Sequence, residues 1–156
     1  MNMKHSSGSN MIAQIAIVVH DIEKTLASYA AFFGMEQPEW FWTGAPEQSK
    51  TNYKGTNTNA RAKIAFFHLD QLQLELIEPD HHPSSWRNHL DEKGEGPHHI
   101  AFVVKDIHGQ QADMEAKGMP VEQTGVFHGG RYAVMDTVQD LKILIELLEY
   151  DQKDRP

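Results

Sequence analysis

Residues 14–22, Gln-Ile-Ala-Ile-Val-Val-His-Asp-Ile, return as residues 99–107, His-Ile-Ala-Phe-Val-Val-Lys-Asp-Ile. Each copy is an alternating apolar run that ends in Asp-Ile and leads into a helix-like stretch. Each stretch stops at a Gly-Met pair, Gly34-Met35 or Gly118-Met119. A second apolar run with an embedded acid closes each copy: Leu74-Glu75-Leu76-Ile77-Glu78 and Ile145-Glu146-Leu147-Leu148-Glu149. The chain is therefore two copies of one module. A duplicated fold gathers equivalent positions around a pseudo-twofold axis, so Gln14, Glu75, His99 and Glu146 are expected to converge.

The rest of the composition narrows the chemistry. With 156 residues and no cysteine, a core is affordable without disulfides, and neither a thiolate metal site nor a Cys nucleophile is possible. Reducing cytoplasm is the expected location. The net charge of −8 with no basic stripe argues against nucleic acid. No apolar run approaches the roughly 20 residues of a membrane span. Residues 1–10 lack a hydrophobic signal core and read as a leader, and 151–156 as a tail.

Local signals give each module the order β-α-β-β-β. In module 11–79, a strand over 12–19 precedes a helix capped by Asp21 and ended by Gly34, as the side chain of Asp and the freedom of Gly suit those positions. Residues 36–59, rich in Pro, Gly, Thr and Asn around Trp40-Phe41-Trp42, read as one short strand and a long loop. Strands over 61–69 and 72–78 follow. A linker helix occupies 84–94. In module 97–150, the pattern repeats with strand 98–104, a helix over 107–117 capped by Asp106, and strands near 121–127, 131–136 and 142–149. Gln14 to Glu75 spans 61 positions and His99 to Glu146 spans 47, so the first copy carries about 14 more. Surface loops accept such insertions at small entropic cost, and the Trp-rich loop is a candidate lid.

Strand alternation sharpens the site. If Ile100, Phe102 and Val104 face a helix, His99, Ala101 and Val103 face the other way, and Gln14 falls beside Ala16 and Val18. Glu75 shares a face with Gln73, and Glu146 with Leu144. By the same parity His98 turns to the helix side, suited to a buried, hydrogen-bonded role. One imidazole, two carboxylates and one amide oxygen form a hard, oxygen-rich donor set for a divalent ion, with Zn, Ni, Co, Mn and Mg all suitable. An Fe(II) facial triad requires a second histidine where Gln14 stands, which disfavours oxygenase chemistry.

These residues resemble the vicinal oxygen chelate superfamily, which includes glyoxalase I, methylmalonyl-CoA epimerase, extradiol dioxygenases and antibiotic-sequestering proteins. The resemblance runs from Met11 to Glu149. The stretch 85–102, with Lys93-Gly94-Glu95-Gly96 and His98-His99-Ile100, looks most like the epimerase branch. It implies an α+β fold in which two paired β-α-β-β-β modules form a cupped mixed sheet around a divalent metal, and a homodimer. The chain departs from the epimerase pattern in carrying Gln14 for His, Glu75 for Gln, and Asn59 near the second catalytic Glu. The set Gln14, Glu75, His99 and Glu146 resembles the metal ligands of animal-type glyoxalase I, yet 136–140 lacks the Asp-Pro-Asp-Gly turn common in glyoxalases.

The implied activity is an isomerase or lyase that removes a proton α to a carbonyl through an enediolate, with an acyl-thioester or 2-oxo compound as substrate. Glu75 and Glu146 are the candidate bases. Arg131 and Tyr132, after Gly129-Gly130, and Trp42 are candidate substrate contacts. A non-catalytic alternative is sequestration of an aromatic or drug-like ligand between Trp40, Phe41 and Trp42.

Overall fold

A computed structural model describes residues 10–152; the expected leader and tail lie almost wholly outside them. The first module comprises β1 (Gln14–Val18), α1 (Ile22–Phe33), β2 (Phe41–Trp42), α2 (Pro46–Ser49), β3 (Asn52–Tyr53), β4 (Thr56–Asn57), β5 (Ala62–His68) and β6 (Gln73–Pro79). The linker helix α3 (Ser85–Lys93) leads to the second: β7 (Gly96–Val103), α4 (Ile107–Ala116), β8 (Val121–Phe127), β9 (Gly130–Met135), α5 (Val138–Leu141) and β10 (Leu144–Tyr150). The ten strands of the described residues form one curled mixed sheet in the order β2-β5-β6-β1-β7-β10-β9-β8-β3-β4. The architecture is α+β, as the repeat implies.

The two halves obey the same local rules. Asp21 accepts from Lys24 N at 3.1 Å and Asp106 from Gly109 N at 3.1 Å, each satisfying an amide of the first helical turn. A second carboxylate reaches each helix start from the strand beneath it: Glu78 accepts from Ile22 N at 3.0 Å and Glu149 from Ile107 N at 3.1 Å. Gly34 takes φ 66° at the end of α1, a left-handed turn in which its amide meets the carbonyls of Ala30 and Ala31.

Helices α1 and α4 cover one face of the sheet. Leu26 of α1 packs on Ala65, Phe67, Leu74 and Leu76, and Met114 of α4 on Val104, Met135, Ile145 and Leu147. The opposite, cupped face is partly filled by α3, whose Trp86 and Leu90 pack on Ala16, Val18, Ala62, Ile64 and Ile77.

The register carries the dyad. Strands β1 and β7 run antiparallel, with Ile15 opposite Ile100. Across the parallel neighbours, Ala16 pairs with Glu75 and Ala101 with Glu146. Each acid thus stands beside the residue two positions after Gln14 or His99, at equivalent places in the two halves.

Two expectations are corrected. Segment 43–61 is no plain loop: it leaves the β2–β5 edge, forms α2, and delivers the β3–β4 hairpin to β8 at the far edge of the second module, where Asn52 pairs with Thr124. The extra residues of copy one thereby act as a strap between the halves. Second, strict alternation fails at His98. The β1–β7 register slips between Ala16 and Ile17, which pair with His99 and Pro97, so His98 is the extra residue of a bulge. The bulge turns His98 toward α3 rather than toward the helices of the other face, although its buried, hydrogen-bonded role stands.

Candidate metal centre

Gln14, Glu75, His99 and Glu146 rise from four adjacent central strands, β1, β6, β7 and β10. Their relative exposures are 5%, 6%, 1% and 7%. Burial of two carboxylates without a cation is costly, so their surroundings decide what the site is for. Ligand-capable atoms of Glu75, His99 and Glu146 lie within 4.8 Å of one another. His99 Nε2 is 2.8 Å from Glu146 Oε2 and 3.5 Å from Glu75 Oε1. Neither approach has the angle of a directed hydrogen bond, and Nε2 is left without a hydrogen-bond partner.

Gln14 completes the set in a similar way. Its amide nitrogen donates to Gln73 Oε1 at 2.9 Å, and Gln73 Nε2 meets His68 Nδ1 at 3.1 Å. This chain fixes the amide and leaves Gln14 Oε1 buried without a partner. Two buried carboxylates around an orphaned imidazole nitrogen, with an orphaned amide oxygen on the same cupped face, fit a hard divalent cation with room for water or substrate oxygens.

The electrostatics agree. Burial, followed by the charge of Glu146, pushes the Glu75 carboxyl up to about 8. Burial works against a charged His99, but the Glu146 and Glu75 carboxylates outweigh it and hold the imidazole above its ordinary value. Both shifts favour the protonated forms, and a cation would compete with those protons. His98 behaves in the opposite sense: burial, with His99 and His89 alongside, keeps it neutral, well below the usual histidine range.

The other candidates are placed as follows. Tyr132 lies near the centre, with its ring 6.3 Å from that of Trp86 and its hydroxyl accepting from Gln123 Nε2 at 3.0 Å; burial raises its pKa strongly. Arg131, on the opposite parity of β9, is held by Glu149 at 2.5 Å and Asp151 at 2.5 Å. Trp42 pairs in register with Lys63 and lies near the Lys63 ammonium and the Arg61 guanidinium, on the face that carries α1. Its neighbour Phe41 pairs with Ile64 and approaches Phe66 at 6.1 Å, on the cupped face. The structure thus gathers Glu75, His99 and Glu146, sets Gln14 and Tyr132 on the same cupped face, and places Arg131 and Trp42 elsewhere.

Sequence reasoning left His68 undecided, as a fallback proton carrier beside Tyr132, and passed over Ser85 and Glu122. His68 and Gln73 share the cupped face by parity and could have been found that way. Ser85 and Glu122 meet only because α3 folds back over the sheet, a relationship no local pattern encodes.

Comparison with known proteins bears on the fold and the family. A 101-residue stretch is 30% identical to the uncharacterized protein YqjC of Bacillus subtilis (strain 168), covering 65% of this chain and 62% of that one. The chain therefore spans less than two thirds of that relative's length. A hypothetical protein, BH1468 from Bacillus halodurans C-125, superposes with a TM-score of 0.64 at 22% identity, over 95% of this chain and 99% of the other. A Streptomyces coelicolor methylmalonyl-CoA epimerase in complex with 2-nitronate-propionyl-CoA superposes with a TM-score of 0.63 at 25% identity, covering 94% and 98%. Residues 13–135 match the Glyoxalase/Bleomycin resistance protein/Dioxygenase superfamily, and the chain belongs to that superfamily.

Proposed function

We propose that this protein is a divalent-metal-dependent isomerase or lyase that abstracts a proton α to a carbonyl, in the manner of methylmalonyl-CoA epimerase. The observation that carries this reading is the pair of buried carboxylates, Glu75 and Glu146, at dyad-equivalent positions around His99 Nε2. Gln14, Glu75, His99 and Glu146 would hold the ion, which when bound supplies a Lewis acid for the substrate oxygens. The remaining work belongs to the chain. A carboxylate at each equivalent position offers a base to either face of a planar substrate, as epimerisation requires. A base works best when its pKa lies near the working pH, so the glutamate that acts as base is the one that leaves the ion, where burial again raises its carboxyl. Tyr132 stands nearby as a neutral hydroxyl that can orient a substrate oxygen.

An acyl-thioester is the favoured substrate class, supported by the likeness to an epimerase crystallised with an acyl-CoA analogue. The Trp-rich segment 36–59 is the proposed lid. Homodimerisation and a cytoplasmic location belong to the same reading; no described helix is long and apolar enough to cross a membrane. A glyoxalase I-like lyase is the second reading, because the donor set carries Gln14 and Glu75 where epimerases carry His and Gln.

The deciding experiment is elemental analysis of the purified protein, then exchange of solvent deuterium into methylmalonyl-CoA and into a hemithioacetal of a 2-oxoaldehyde. Exchange into the thioester supports the first reading, and exchange into the hemithioacetal the second. Tight binding of hydrophobic ligands with neither metal nor exchange would replace both by sequestration.

A further inference from the structure

Behind His99, away from the carboxylates, an unbroken line of polar atoms leads out of the core. His99 Nδ1 is 2.7 Å from His98 Nδ1. His98 Nε2 is 2.9 Å from Ser85 Oγ, and the Ser85 hydroxyl donates to Glu122 Oε2. His98, His99 and Ser85 are 1%, 1% and 2% exposed. Ser85 is fixed further by its own amide, which donates to Gln123 Oε1 at 2.7 Å. The line ends at a cavity of about 540 Å³ bordered by Ser85, His98, Glu122, Lys54 and Lys93.

The direction of the line follows from donor and acceptor counting. Of two facing Nδ1 atoms of neutral imidazoles, one must carry the hydrogen and the other must accept it. An ionised Glu122 only accepts, so the Ser85 hydrogen points to it. Ser85 Oγ is then free to accept from His98 Nε2–H, which leaves His98 Nδ1 bare. His98 Nδ1 in turn requires the hydrogen on His99 Nδ1, so His99 Nε2 is the nitrogen that would offer its lone pair to a cation held by Glu75 and Glu146. Reversal at any link would place a hydrogen on the nitrogen that must face the cation.

We propose that Glu122, Ser85 and His98 are positioning residues, a one-way hydrogen-bond chain that sets the tautomer of His99 and so makes its Nε2 a metal ligand. The inference rests on the metal-centre reading above. It also gives the β7 bulge a purpose, since only the extra residue allows two consecutive histidines to meet through their Nδ1 atoms. Partners of ligating histidines typically contribute 10–100-fold to metal affinity.

The test is zinc titration of the full chain against a chromophoric chelator near neutral pH, with thermal unfolding to confirm folding. Ser85→Ala and Glu122→Gln are expected to weaken zinc binding by about 10–100-fold. Ser85→Thr and Glu122→Asp, which keep the hydroxyl and the carboxylate, are expected to retain most of it. Nitrogen NMR of the zinc-loaded wild type should show His98 protonated on Nε2 and bare on Nδ1. Wild-type affinity in folded Ser85→Ala and Glu122→Gln, or His98 protonated on Nδ1, overturns the inference while leaving the metal centre intact. Failure of the wild type to bind zinc, with His99→Ala no different, overturns both.

Discussion

Glu146 Oε2 stands 2.8 Å from His99 Nε2 without forming a directed hydrogen bond to it. In a buried site, such an approach needs a positive charge between or upon the partners. A proton serves when the cation is absent, so the cation and the proton compete for the same donors. Zinc affinity is therefore expected to rise between about pH 6 and 8, by up to about tenfold per pH unit for each proton displaced. Calorimetry in buffers of different ionisation enthalpy reads the protons released. Flat affinity over this range with no proton release would contradict the assignment.

Stability of the metal-free protein should run the other way. Glu75 is pushed up to about 8 from 4.5, so between those values the folded state holds a proton that the unfolded state has lost. The stabilising effect of that proton is complete below about pH 4.5 and is lost as pH rises through about 8. The metal-free midpoint of unfolding should fall across this window, and Glu75→Gln should flatten the fall. An unchanged slope in that variant would show that another group is responsible.

Glu75→Gln and Glu146→Gln replace each proposed base by an amide of equal size. Each is expected to lower α-proton exchange by 10²–10⁴-fold, the usual effect of losing a positioned base. Metal content must be measured in parallel, because both changes also remove a charged ligand. Full exchange in both variants would transfer the proton to another group, with Tyr132 and His68 next in line.

Trp86 reaches from α3 into the cupped face, where it is 4% exposed and adjoins Tyr132. Trp86→Ala is expected to cost about 3–5 kcal/mol in chemical denaturation. A loss under about 1 kcal/mol, the range of a surface change, would mean that α3 is loosely held.

Gly125 pairs with Tyr132, and a Cβ there would come within 2.4 Å of the Tyr132 ring. Gly125→Ala should destabilise by about 1–3 kcal/mol through overpacking. The penalty should shrink in a Tyr132→Ala background, a coupling that a double-mutant cycle measures directly. Equal penalties in both backgrounds would place the strain elsewhere.

The repeat made much of this structure legible. Asp21 and Asp106 announce the helix starts, and period-two parity puts Gln14, Glu75, His99 and Glu146 on one face. The same parity misled at His98, because a bulge inserts a residue that alternation cannot register. It was silent at Trp42 and Phe41: both are aromatic, both lie on a two-residue strand, and only the pairing with Lys63 and Ile64 reveals which faces the cup. The strap was beyond reach for a different reason. Its hairpin pairs with a strand some seventy positions later, and neither partner's local sequence names the other.

That strap also bears on how the chain is made. During synthesis the first module emerges with β3 and β4 already present, yet the strand they dock on, β8, begins at Val121. At about 5–20 residues per second, the hairpin waits several seconds for its partner. Pairings of such sequence separation are also slow to close. The nascent first half therefore spends that interval with an unpaired hairpin and an open cup, the stage at which the chain is most exposed to wrong partners.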